Sequence, residues 1–119
     1  MVKDKIVRIG HRGACGYEPE NTLASFRKAL DLGVDVIETD VYQCKSGELV
    51  IMHDNKVDRT TDGHDYVFEM KLDELRKLHE KKRQTVPLLT EALDLVNKSC
   101  TVDIELKGEA TAKGVNDII

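Results

Sequence analysis

With 119 residues and a net charge of −4, the chain is at most one domain, and its acids are scattered instead of gathered in a tail. That balance argues against a general nucleic-acid binder, and no stretch approaches the roughly 20 apolar residues of a membrane-spanning helix. Cys15, Cys44 and Cys100 form no C-x-x-C pair and the N-terminus "MVKDKIVRIG" has no secretory apolar core, so reduced thiols and a cytoplasmic location are expected.

Along the chain, "KIVRIG" is a short β-type run that stops at Gly10. "GHRGACGYEPENT" then sets a His and an Arg directly after that run and follows them with a stiff turn. "ENTLASFRKALDLG" has helical spacing. Asn21 is the expected N-cap, Leu23, Phe26, Ala29 and Leu30 the buried stripe, and Gly33 the stop. "VDVIETDVYQC" returns to a β pattern, and Lys45-Ser46-Gly47 turns into "ELVIMHD", so a hairpin is predicted.

A polar loop, "NKVDRTTDGHDY", comes next, in which Arg59, Thr60 and Asp62 are expected to order the chain after His53. "LDELRKLHEK" and "LLTEALDLV" have amphipathic helical spacing, the second just after Pro87. Glu80–Lys81–Lys82–Arg83 reads as a solvated helix end. "CTVDIELKG" is a further strand, and "TAKGVNDII" opens another helix. Strands alternating with helices indicate an α/β protein with a largely parallel sheet.

Strand periodicity gathers the reactive residues. Glu38 and Asp40 share one face of their strand, opposite Ile37, Thr39 and Val41; Asp103, Glu105 and Lys107 share a face opposite Val102, Ile104 and Leu106. His11 and His53 each close an apolar run. One such feature alone is usually structural. Four strand ends in agreement point to a site, because parallel strands are covered by helices on their outer side and carry sites at their carboxyl ends. Glu38, Asp40 and Glu105 are costly to hold together without a cation, and all-oxygen ligation suits Mg²⁺ or Ca²⁺ better than zinc. Two imidazoles beside a hard metal, with Arg12 and Lys107 for negative charge, suit hydrolysis of a phosphate ester.

In order and spacing, "HRGACGYEPENT", "VIETDV", "LVIMHD", "DRTTDG", "VPLLTEAL" and "DIELKG" resemble the glycerophosphodiester phosphodiesterase family, from about Ile6 to Gly108. The resemblance implies a TIM-type (β/α) barrel of which residues 1–119 are the N-terminal part. It implies a metal on Glu38, Asp40 and Glu105, His11 and His53 as the acid–base pair, and Arg12 and Lys107 on the phosphate. The implied reaction is hydrolysis of a small-molecule glycerophosphodiester, a deacylated phospholipid, to glycerol 3-phosphate and an alcohol. Asn21 and Thr22 are expected to fix the turn and cap the helix.

Two other readings stand beside it. One is a non-catalytic module that keeps the metal or phosphate site, which the intact motif disfavours. The other is a phospholipid-cleaving relative of the sphingomyelinase D type, which the loop after His53 and the P-E-N-T turn disfavour. A TIM barrel takes about 200 residues or more. The sheet edges left open in 119 residues are therefore expected to invite self-association.

Overall fold

The computed structural model describes residues 6–107. The described residues form, in chain order, β1 (Ile9–His11), α1 (Leu23–Asp31), β2 (Val36–Gln43), β3 (Leu49–Ile51), α2 (Leu72–Arg76), α3 (Leu89–Val96) and β4 (Thr101–Leu106). The helix expected in "TAKGVNDII" lies outside the described residues.

β2 organises the sheet. One of its edges carries β4 in parallel, from Val36↔Thr101 to Val41↔Leu106. The other edge is shared end to end: β1 runs parallel to the first half, with His11 opposite Glu38, and β3 runs antiparallel to the second half, with Val41 opposite Ile51. The expected hairpin and the mostly parallel sheet are therefore both present. Apolar residues of the outer face seat α1 and α3, with Phe26 and Ala29 packed among Ile37, Ile51 and Val96. Ile104 of β4 packs beside Leu93 of α3. A second cluster lies under the loop after β3, where Val50, Met52, Val57, Val67, Leu75 and Val86 are buried together.

α1 begins at Thr22, not at Asn21. The Thr22 hydroxyl accepts the Ser25 amide at 3.1 Å while Ser25 Oγ accepts the Thr22 amide, a reciprocal cap that both residue types favour. Gly33 follows the helix at φ +72, as expected of a stop residue. The predicted helix over 72–81 ends at Arg76. Beyond it the His79 amide donates to Asp62 and Glu80 pairs with Thr61, so the chain straightens to brace the loop after β3. Lys81, Lys82 and Arg83 are exposed as expected, but Glu80 is buried, only 7% accessible. The Pro87 carbonyl accepts the Ile51 amide at 2.9 Å, laying the "VPLL" segment against β3 before α3 starts. No helix among the described residues is long and apolar enough to cross a membrane.

Candidate active site

The turn after β1 is the tightest piece of backbone around the site. Arg12 has φ +51 and Gly13 φ +83. A side chain on Gly13 would put its Cβ 2.8 Å from the Ser25 backbone, and one on Gly10 would come within 2.6 Å of the Gly13 carbonyl oxygen. Both glycines are thus required by close approach. The strained conformation at Arg12 brings its amide to Glu38 Oε2 at 3.1 Å. Its guanidinium reaches Glu20 Oε2 at 3.1 Å, and its buried Nε lies 3.7 Å from Asp40 Oδ2, an ion-pair distance with no hydrogen bond.

Glu38 and Asp40 from β2 and Glu105 from β4 each offer a carboxylate oxygen within 4.8 Å of the others. Register explains it, since Asp40 sits opposite Glu105 across the parallel ladder and Glu38 lies two residues earlier on the same face. Burial raises the Glu38 pKa and the neighbouring Asp40 charge raises it further. Glu105 is lowered by its bond to Lys107, whose Nζ donates to it at 2.8 Å. Asp40 is fully buried. Asn21 Nδ2 donates to its Oδ2 at 3.0 Å, yet its Oδ1 has no hydrogen-bond partner among the described residues.

His11 Nε2 lies 3.6 Å from Glu38 Oε2. His53, two residues past β3, holds Asp54 Oδ1 through Nδ1 at 2.7 Å. Asp54 in turn meets Arg59, which drops its pKa to about 2, with His53 contributing less. Arg59 also forks onto both oxygens of Glu20 at 2.7 and 2.9 Å. One ion network therefore runs from Arg12 through Glu20, Arg59 and Asp54 to His53, as ordering of the loop by Arg59 requires. His64 and His79 stand apart, each against a loop aspartate, Asp58 or Asp62.

The structure thus places the three carboxylates together, with Arg12, Lys107 and His11 each against one of them. Asn21 is the residue whose part differs from expectation. Freed from capping, it is buried, holds Asp40 and accepts from Thr39 Oγ1 at 2.9 Å. Glu20 and Asp54 complete the surroundings. Their adjacency to Pro19 and to His53 was the available signal. Cys15, Cys44 and Cys100 are free thiols, as expected.

A parallel α/β scaffold with carboxylates and cationic groups gathered at the carboxyl ends of its strands defines the N-terminal part of a (β/α) barrel bearing an enzyme-type site. The chain belongs to the glycerophosphoryl diester phosphodiesterase family, whose model matches residues 11–117. Among its relatives, the glycerophosphodiester phosphodiesterase of Caldanaerobacter subterraneus is 40% identical over 111 residues, covering 87% of this chain and 46% of that protein. Human glycerophosphodiester phosphodiesterase 1 is 36% identical over 118 residues, covering 91% and 36%.

Solved structures agree. An Oleispira antarctica phosphodiesterase in complex with the product sn-glycerol-3-phosphate superposes with a TM-score of 0.89 at 32% identity, over 95% of this chain and 51% of that one. The glycerophosphodiester phosphodiesterase of Agrobacterium tumefaciens gives 0.86 at 36% identity, over 93% and 52%. The chain spans about a third to a half of the length of these curated relatives, 36% of the human enzyme and 46% of the Caldanaerobacter enzyme.

Proposed function

We propose that this chain carries the metal-binding and acid–base portion of a phosphodiesterase that hydrolyses glycerophosphodiesters to glycerol 3-phosphate and an alcohol. The observation that carries the reading is the carboxylate cluster of Glu38, Asp40 and Glu105, with the buried Asp40 Oδ1 lacking any partner in the described protein. Such an atom is costly unless something else satisfies it. Hard oxygen donors fit Mg²⁺ or Ca²⁺, and a divalent ion held there would stabilise negative charge on the phosphoryl oxygens.

The remaining work falls to the chain's own groups. Asp54 is ionised above pH about 2 and can only accept, so the proton of neutral His53 sits on Nδ1. Its Nε2 is then the basic atom, suited to take a proton from the attacking hydroxyl or water. His11 is left to return a proton to the departing alcohol. Arg12 offers its buried Nε, which has no hydrogen-bond acceptor among the described residues, and with Lys107 it supplies positive charge for the phosphate. Free thiols suit a reducing compartment such as the cytoplasm.

Calorimetric titration with Mg²⁺ or Ca²⁺ should show about one equivalent bound, and Glu38→Gln should abolish the signal while leaving the fold intact. Identical titrations for the parent and the variant would remove the metal assignment. With this chain in a complete barrel, His11→Ala and His53→Ala should each cut release of glycerol 3-phosphate by about 10² or more. His64→Ala and His79→Ala should leave it nearly unchanged.

A further inference from the structure

The sheet joins the two histidine-bearing segments only through β2. His11 closes β1 and His53 follows β3, and among the described residues no strand pairing links β1 to β3. Groups that act on one phosphodiester tolerate little error in placement, since a shift of about 1 Å can cost about 10²-fold in rate. The ladder alone sets no direct distance between the turn after β1 and the loop after β3. A separate tie between them would.

Arg59 and Glu20 form one. Arg59 donates to Asp54 through Nε at 2.8 Å and Nη2 at 3.1 Å, and to Glu20 through Nη1 at 2.7 Å and Nη2 at 2.9 Å. The bonds to Asp54 stay within the loop, whereas those to Glu20 cross 39 residues of chain. Glu20 is itself well anchored, because the Asn21 amide donates to the Arg12 carbonyl at 2.9 Å and the Thr22 hydroxyl to the Pro19 carbonyl at 2.7 Å. Its Oε2 also accepts from Arg12 Nη1 at 3.1 Å. An isolated exposed ion pair contributes little, but a forked guanidinium in a network of charges holds its geometry. His53 is bound to Asp54 at Nδ1, so its ring is only as steady as Asp54.

On the phosphodiesterase reading, we propose that Glu20 and Arg59 are positioning residues that lock the phosphate-binding Arg12 to the proton acceptor His53. Neither touches the reacting atoms. Arg59 acts on His53 from behind, through Asp54, and Glu20 holds Arg59 and Arg12 at once. Their roles therefore separate: Arg59 serves the proton transfer, and Glu20 serves both that step and the grip on the phosphate.

The test follows glycerol 3-phosphate release with this chain in a complete barrel, on glycerophosphoglycerol or glycerophosphoethanolamine, whichever the unsubstituted protein hydrolyses faster. Arg59→Lys keeps the charge but loses the planar fork. It should lower kcat by about tenfold or more with KM nearly unchanged, because Glu20 still holds Arg12. Placed in a His53→Ala background, the same substitution should cost less than about twofold, since the group it steadies is gone. Glu20→Gln, nearly the same shape, should lower kcat and raise KM together, and without His53 only the rise in KM should remain. Glu20→Gln thus carries the comparison even if Arg59→Lys fails to fold. Lys82→Ala removes the 3.0 Å ion pair to Glu18, which reaches neither histidine nor Arg12, and should leave both constants nearly unchanged. Parental kcat in both the Arg59 and Glu20 variants, or kcat losses as large without His53 as with it, would overturn the proposal while leaving the phosphodiesterase reading in place. Hydrolysis of neither ester by the unsubstituted protein would overturn that reading and the proposal with it.

Discussion

Asn21 holds Asp40 through a 3.0 Å bond between two buried groups. A residue that orients a metal ligand without touching the metal typically contributes 10- to 100-fold in affinity. Asn21→Ala should therefore weaken Mg²⁺ or Ca²⁺ binding by about that factor in calorimetry, with the Thr22 cap and α1 helicity retained in circular dichroism. An unchanged dissociation constant would reduce Asn21 to a turn residue. The carboxylates themselves were legible in sequence because strand alternation alone puts Glu38 with Asp40. The role of Asn21 was not. Asn and Thr are both good caps, and only the left-handed backbone at Asn21, φ +53, decides that Thr22 caps while Asn21 turns inward.

The turn joining β1 to α1 and the segment joining α2 to α3 each answer to one residue. Gly13→Ala would combine a positive φ with a clash against Ser25, so a loss of more than about 1 kcal/mol is expected in denaturant titration. In the second segment, burial lifts the Glu80 pKa from 4.5 to about 8, and the Glu20 charge adds to that while Thr60 opposes it. Arg59 is already committed to Glu20 and Asp54, and Lys81 is exposed. Below pH 4.5 folded and unfolded chains both hold the proton. Between 4.5 and about 8 only the folded chain does, so this group's contribution to stability is lost as pH rises through that window. Glu80→Gln should then raise the melting temperature more at pH 8 than at pH 5 in scanning calorimetry, and an equal gain at both would contradict it. This behaviour was hidden in the sequence, where "EKKR" looks uniformly solvated. Only the premature end of α2 and the pairing of Glu80 with Thr61 bury the acid.

Over the whole molecule, the alternation of strands and helices, the hairpin and the Pro87 segment could all be read from periodicity and turn residues. The end-to-end sharing of one β2 edge by β1 and β3 could not, because three-residue strands carry almost no pattern. Among the described residues, β4 has a strand neighbour on one edge only, and Ile6, Val7, Ile9 and Leu106 are exposed. Open edges with apolar flanks favour pairing between chains. The 119-residue chain is expected to self-associate with rising concentration in light-scattering chromatography. A monodisperse, cooperatively melting monomer at all concentrations would count against that.

The parallel register of β2 and β4 has a kinetic consequence. Asp40 and Glu105 face each other across strands that lie far apart in the chain, so an ion held by both would fasten the last described strand to the centre of the sheet. Without it, the two carboxylates face each other with only Lys107 and Arg12 to offset them, and β4 has no outer neighbour among the described residues to retain it. Backbone amides of Thr101–Leu106 should then exchange with deuterated solvent markedly faster after chelation, while those pairing β2 with β3 keep their rates.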